Sequence, residues 1–502
     1  MTIFDRARMD PEGLALDDGT RRRSWAALAD RSTRLARFLR EEAGLAPDDH
    51  AAILMGNRVE YAEIVLGAIL AGVWLTPVNG HLARDEVAYI VRDSGAKLLF
   101  TDEAHAEVAR AAGAPAVLPV GDPLEGALAC ASDAPMDLAG PPGATMIYTS
   151  GTTGRPKGVK RTRPATLRDA LDQHARMGRR YGLDGSGPHL LTGPMYHAAP
   201  LLFAIYDQAN GAPLVILPRW DEREALGLLA AREIAHTHMV PTMFHRLLAL
   251  PEAVRNARDL ASLRMILHGA APCPVAVKRS LLEWLGPIVY EYYAATEGFG
   301  AFVTPEVWLE HPGTVGKPDP DAVRVLGDHG EPLPSGEIGR LFLQAPGNDR
   351  FTYYKDDAKT KRAYDDSGGY FTLGDLGYLD TEGYLYLADR SGDVIISGGV
   401  NVYPAEVDAV LLEHPAVADA ATIGVPDEEW GESVRSVVER RAGAPGDAAL
   451  AAELVAFCRG RLAHFKCPRA VDFTDALPRH DTGKIYRRLL RERYWKDHGR
   501  RI

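Results

Sequence analysis

The chain has 502 residues, 46% apolar and 25% charged, with a formal net charge of -11. That length exceeds what one compact core fills and predicts at least two domains, while the composition is ordinary for a soluble globular protein. The acidic balance argues against a nucleic-acid binder and leaves room for a local basic pocket. The four cysteines, Cys130, Cys273, Cys458 and Cys467, form no C-x-x-C pair and no Cys/His cluster, so a reducing, cytoplasmic setting is expected. Met1-Thr2-Ile3-Phe4-Asp5-Arg6 lacks an apolar signal core, and no signal peptide is expected. The apolar stretch Ile64 to Val78 is broken by Gly67, Gly72 and Pro77. It is shorter than the ~20 residues of a spanning helix, so it predicts a buried helix running into a buried strand, with no membrane span.

Taken in chain order, helical and strand patterns alternate. Ser24 to Glu42 reads as helix, Ala51 to Met55 as buried strand, Tyr61 to Ala71 as helix and Trp74 to Val78 as strand. Arg84 to Ser94 is again helical and Lys97 to Phe100 again a strand; Leu214 to Leu217, Thr237 to Val240 and Met265 to Leu267 continue the rhythm. Such alternation predicts an α/β fold of parallel sheets covered by helices. From Asp321 to Asp389 short strands separated by Gly/Asp turns, at Val323 to Leu326, Ile338 to Leu343 and Tyr384 to Leu387, predict a small β-barrel-like unit. A boundary is expected at Ser391-Gly392, dividing a large domain, 1–390, from a small mobile α+β domain, 391–502. The first helix of the small domain starts at Pro404, with Val407, Val410 and Leu411 on one apolar face.

The segment Thr149-Ser150-Gly151-Thr152-Thr153-Gly154-Arg155-Pro156-Lys157-Gly158-Val159 carries the most chemistry. Glycines let backbone N–H groups approach phosphate oxygens, hydroxyls donate, and lysine neutralises charge. It is not a Walker A loop, because no G-K-[ST] ends it.

This segment resembles the phosphate loop of the adenylate-forming superfamily: acyl-CoA synthetases, peptide-synthetase adenylation domains and luciferases. Further signatures follow in that family's order over nearly the whole chain. His268-Gly269-Ala270-Ala271-Pro272 is similar to the adenine-contacting loop, and Tyr292-Tyr293-Ala294-Ala295-Thr296-Glu297-Gly298 to the Y-G-x-T-E motif. The resemblance implies that Tyr293 stacks on adenine, Thr296 bonds the α-phosphate and Glu297 holds Mg²⁺, for which an oxygen ligand is apt. It gives Asp375, in Tyr370-Phe371-Thr372-Leu373-Gly374-Asp375, to the ribose hydroxyls, and places Arg390 of Asp389-Arg390 near them. Lys484, in Pro478-Arg479-His480-Asp481-Thr482-Gly483-Lys484, is implied to offset repulsion between the substrate carboxylate and the α-phosphate. His197, in Gly193-Pro194-Met195-Tyr196-His197, falls where the family flanks the acyl pocket.

For coenzyme A, Ser397-Gly398-Gly399-Val400 resembles the loop beside the pantetheine tunnel. Trp430 matches a position that stacks on the CoA adenine, and Lys466 and Arg469 lie where basic side chains meet its phosphates. The implied activity is an ATP-dependent, AMP-forming acyl-CoA synthetase. A carboxylic acid becomes an acyl-adenylate with release of pyrophosphate; the small domain then rotates, and CoA takes the acyl group with release of AMP. ATP, Mg²⁺ and CoA are the implied cofactors, and a homodimer is left open.

Three positions depart from the pattern: Gly392 at the pivot, Ala294 for the glycine of Y-G-x-T-E, and His268 for a smaller residue. They raise the alternative of an enzyme specialised for thioester formation from a supplied acyl-adenylate. A carrier-protein-loading enzyme is the other alternative, disfavoured by the apolar run Ala198 to Phe203 and by the lack of a carrier domain before Ile502. Arg500-Arg501-Ile502 is not a peroxisomal signal, so luciferase-like chemistry is disfavoured, and retained Lys484, Glu297 and Asp375 disfavour a non-catalytic sensor. The acyl pocket is expected from His197 to Phe203, Met239-Val240, Gly269 and Ala294 to Gly300. These are mostly small or apolar, which predicts a hydrophobic, uncharged acyl group.

Overall fold

Strand His50–Leu54 is buried along its whole length, as a strand covered by helices on both faces requires. In the computed structural model it sits in a five-stranded, all-parallel sheet of order Ala116–Pro119, Ala96–Thr101, His50–Leu54, Trp74–Pro77, Ala144–Thr145. The structure describes all residues except Met1, 150–155, Pro272, Asp328, Pro346, 348–349, Ser391, 398–399, 428–429, 480–484 and 497–502, and for Asp389, Arg390 and Asn401 the backbone only. Every residue of helix Val59–Ala71 is buried. The helix ends on Gly72 at φ 78, a left-handed cap that turns the chain into Trp74–Pro77.

A second, eight-stranded sheet has the order Gly298–Val303, Val289–Ala295, Met265–His268, His236–Met239, His189–Leu191, Leu214–Ile216, Leu14–Asp17, Arg22–Ser24. Its centre is parallel, and each edge is closed by one antiparallel strand. Helix Trp25–Arg37 is capped by Ser24, whose side chain accepts from the Ala27 N–H, and continues into a π-helical turn, Phe38–Glu42.

The expected small β-unit is an antiparallel sheet of Val323–Leu326, Gly339–Gln344, Asp375–Leu379 and Leu385–Arg390, with Tyr370–Phe371 beside it. A three-stranded sheet, Phe351–Tyr353, Lys157–Arg161, Ile147–Thr149, lies close by: Val159, Phe351 and Tyr353 share an apolar cluster with Leu341 and Phe371. The C-terminal domain is separate. Strands Val417–Asp427 and Gly431–Arg440 form its long hairpin, helices Pro404–Leu411, Ala448–Arg459 and Arg487–Trp495 surround it, and its apolar clusters draw only on residues beyond Arg390.

Candidate active site

Four neighbouring parallel strands of the large sheet release their chains at one edge. His189–Leu191 leads to Gly193–His197, His236–Met239 to Val240, Met265–His268 to Gly269–Ala271, and Val289–Ala295 to the Thr296-Glu297 turn. The carboxyl edge of a parallel sheet is where such loops converge into a crevice. A cavity of about 760 Å³ opens there, walled by His197, Val240, Ala270, Thr296 and Glu297. Sequence-distant candidates are thus gathered on one wall. Ala270 holds the left-handed region at φ 66, a strained conformation for a residue with a side chain. Gly269 is a steric necessity, because a Cβ there would lie 2.7 Å from the Tyr292 ring and carbonyl.

Tyr293 donates its hydroxyl to Asp375 at 2.8 Å, joining the two residues assigned to the base and the ribose. Tyr353 donates to Glu297 at 3.0 Å, and burial together with that carboxylate pushes the phenol's pKa up, so it stays a donor. Lys359 lies 4.0 Å over the Tyr353 ring. Burial lowers its pKa, Glu297 acts against that, and Lys157 acts with it. Lys157, Lys359 and Glu297 therefore share one electrostatic neighbourhood, and Lys359 is a cation that the motifs did not mark. Lys157 is also 3.8 Å from Asp93. Thr149 and Lys157 pair across antiparallel strands. Among the described residues no three His, Cys, Asp or Glu side chains form a metal cage. A buried carboxylate with one oxygen already bonded suits Mg²⁺, which takes one or two protein carboxylates and otherwise phosphates and water.

Behind the loops lies a buried ion pair that sequence reading missed. Lys278 is 0% exposed, and its Nζ lies 2.7 Å from Glu291 Oε2. His268, opposite Glu291 in register, is 3.4 Å from the same oxygen. Lys278 belongs to helix Val275–Leu285, so the pair ties that helix to the strand carrying Tyr292 and Tyr293.

Ser150, Gly151, Thr152, Thr153, Gly154, Gly398, Gly399 and Lys484 lie outside the described residues, as does the Arg390 side chain. Trp430 is 40% exposed, with the Arg469 guanidinium 4.7 Å from its ring centroid. Asp427 organises both: it accepts from the Trp430 N–H at 3.0 Å and lies 3.6 Å from Arg469. Lys466 is bound by both oxygens of Glu406, at 2.7 and 2.8 Å.

The cavity wall differs from the expected segments in three places and extends beyond them. Leu201 and Met239 point into apolar cores, and Ala270 lines the wall rather than Gly269. The added wall comes from helix Leu167–Arg180 and Tyr181, with Gln173, His174 and Met177. The wall remains mostly small or apolar, with polar side chains added along this helix. The available signal was the helical spacing of residues 170, 173, 174, 177 and 181, but mixed polarity hides such a face.

Family models match the chain as AMP-binding enzyme over residues 3–350 and AMP-binding enzyme C-terminal domain over 406–484. The 2-succinylbenzoate–CoA ligase of Geobacillus kaustophilus is 36% identical over 97% of this chain and 96% of its own. A long-chain-fatty-acid–CoA ligase of Mycobacterium tuberculosis is 34% identical over 90% of this chain and 89% of its own. The o-succinylbenzoate CoA synthetase of Bacillus subtilis, solved with its acyl-adenylate intermediate, superposes with a TM-score of 0.81 at 29% identity, covering 97% of each chain. No helix among the described residues is long and apolar enough to cross a membrane. Matched along nearly its whole length, the chain belongs to the AMP-binding enzyme family, among the AMP-forming acyl-CoA ligases of the adenylate-forming superfamily.

Proposed function

We propose that the cavity at the carboxyl edge takes the acyl group, with its carboxylate directed to Thr296, and that the ATP base and ribose lie against Tyr293 and Asp375. The observation that carries this reading is that His197, Ala270 and the Thr296-Glu297 turn, which come from separate stretches of the chain, wall one cavity. Gly269, Ala270 and Ala271 shape the adenine side. Thr149 and Lys157 hold the ends of the phosphate loop, and Ser150 to Gly154 line it. Glu297 would hold the metal ion, which would neutralise phosphate charge when bound. The carboxylate oxygen attacks the α-phosphorus, its bond to the bridging oxygen breaks, and pyrophosphate leaves with that electron pair. Lys484 offsets the repulsion between the two anions, and Lys157 and Lys359 hold the departing charge.

The domain limit at Arg390 to Gly392 is the proposed hinge. Rotation there withdraws Lys484 and brings Gly398 and Gly399 to the tunnel. The CoA sulfur then attacks the acyl carbon and AMP leaves. Trp430 and Arg469 form a platform for the CoA base and phosphate; Lys466 joins them only by releasing Glu406. His197 flanks the acyl group. The expected substrate is a largely hydrophobic carboxylic acid. A cytoplasmic location and a homodimer belong to the same reading, and light scattering on the purified chain reads the second.

The test is an acid-library screen with ATP and CoA, reading thioester by mass and pyrophosphate in parallel. Thioester and AMP from a hydrophobic acid are expected. Equal turnover by a Thr296→Val variant would remove Thr296 from the α-phosphate.

A further inference from the structure

Gln173, His174 and Tyr181 line the cavity, and among the described residues none of their polar groups has a hydrogen-bond partner. They share one face of helix Leu167–Arg180 and its first following residue, with Ala170 and Met177 between them on the same wall. Tyr181 is held rigidly: its ring packs edge-on against Phe203, Phe299 and Phe302 at 5.2, 5.9 and 5.7 Å between centroids. Its position is settled by packing while its hydroxyl stays unused. Burial keeps the Tyr181 phenol protonated and lowers His174 to about 4, so at neutral pH the imidazole offers one donor and one acceptor. Tyr181 is 6% exposed and Gln173 and His174 are half-buried, so the cavity wall offers a ligand polar atoms that no described residue bonds.

Two elements relate them to the loops at the sheet edge. His197 caps helix Ala198–Gln208, and Tyr206, against which the His174 ring packs at 5.8 Å, lies about 13 Å along that helix at 1.5 Å per residue. Tyr181 packs on Phe299 and Phe302 of the strand Gly298–Val303, which leads away from the Thr296-Glu297 turn. Between the ends the wall is apolar: Ala199, Leu202, Phe203 and Ala294. Arg161 and Arg180 also line the cavity, and both bear electrostatically on the Tyr181 hydroxyl.

We propose that Gln173, His174 and Tyr181 form a recognition subsite for an oxygen function that the acyl substrate carries away from its carboxyl, beyond an apolar body. The substrate class is then a bifunctional acid rather than a plain hydrocarbon acid. The oxygen accepts from Tyr181, from Gln173 and from the imidazole N–H; a hydroxyl form can also donate to the second imidazole nitrogen. The inference rests on the reading that this cavity takes the acyl group.

The full chain is assayed with ATP, Mg²⁺ and CoA on decanoic acid and its ω-hydroxy, ω-oxo and ω-carboxy counterparts. At least one oxygenated acid is expected to exceed decanoate tenfold or more in kcat/KM, and Tyr181→Phe with Gln173→Leu should remove most of that ratio. Preference for the ω-carboxy acid alone, lost in Arg180→Ala, identifies the group as an anion; preference for the ω-oxo or ω-hydroxy acid identifies a neutral oxygen. Decanoate outperforming all three, or a ratio unchanged in the double variant, overturns the subsite. The underlying reading has its own control: Leu202→Trp fills the apolar middle and should depress turnover of every acid. Undiminished turnover there would move the acyl site elsewhere.

Discussion

Tyr293 and Asp375, 82 residues apart in sequence, are joined by a 2.8 Å hydrogen bond from phenol to carboxylate. Both are buried, and the bond links the large parallel sheet to the antiparallel unit. Orientation of the base-side ring and of the ribose-side carboxylate is therefore one arrangement. Tyr293→Phe keeps the ring and leaves the carboxylate short of one donor, a loss of about 1.5–3 kcal/mol for a bond to a charged group. The expected outcome is a roughly tenfold or greater rise in KM for ATP with KM for CoA unchanged, read by steady-state kinetics. An unchanged ATP KM would separate the pair from nucleotide binding.

On the proposed roles, Lys484 should separate the two half-reactions. Lys484→Ala should abolish pyrophosphate release from acid and ATP while largely sparing thioester formation from supplied acyl-adenylate, because the lysine is withdrawn in that step. The two reactions are run side by side on the same preparation. Equal loss in both would refute the role.

Trp430 and Arg469 form a cation–aromatic pair at 4.7 Å on the C-terminal domain. Trp430→Ala should raise KM for CoA, with base stacking worth on the order of 1–3 kcal/mol, and should leave KM for ATP in place. A shift in ATP instead would move the tryptophan to the other nucleotide.

Ala294 lines the cavity beside Thr296, where the carboxylate must approach the α-phosphorus in line. Its methyl burdens that approach more than thiol attack from the tunnel, so adenylation is expected to be the slower half-reaction. Single-turnover rates decide it: acid plus ATP against acyl-adenylate plus CoA, in wild type and in Ala294→Gly. Adenylation as fast as thioesterification in the wild type would end the idea, and with it the enzyme fed by a supplied adenylate.

At the opposite edge of the same sheet, Asp207 accepts from both His189, at 3.0 Å, and His236, at 2.8 Å. Burial alone would raise its pKa, but the two imidazoles outweigh burial and hold it at about 2, against 3.8 ordinarily. A carboxylate depressed in the folded state stabilises above its unfolded pKa and loses that contribution as pH falls through the folded one. The contribution, about 2 kcal/mol by linkage, should be complete above pH 4 and vanish toward pH 2. Chemical denaturation of wild type and Asp207→Asn across that range reads it; a constant difference would show that the carboxylate's charge is irrelevant.

How much was legible in the sequence depended on how local the cause was. Helix Arg84–Ser94 is found with the bounds its periodicity implies, as is strand Val323–Leu326, because capping and alternation act within a few residues. Strand Thr237 to Val240 was read one residue too far, since Val240 is the cap of a helix that Pro241 begins. Strand Lys157–Arg161 gave no strand signal, because three of its five residues are basic and its pairing with Ile147–Thr149 and Phe351–Tyr353 is set by the chain at a distance.

The sequence by itself determined the chemistry class, since its short motifs, the Gly/Ser/Thr-rich segment from Thr149, Thr296-Glu297 and the C-terminal Gly483-Lys484, carry meaning in residue type and order. Only the tertiary structure decided what shares the cavity. Tyr353 donates to Glu297 on the cavity wall, Lys278 pairs with Glu291 behind it, and Gln173, His174 and Tyr181 line the cavity from another helix. None of these is a motif. Each depends on which elements pack together, and packing brings together residues that no local spacing connects.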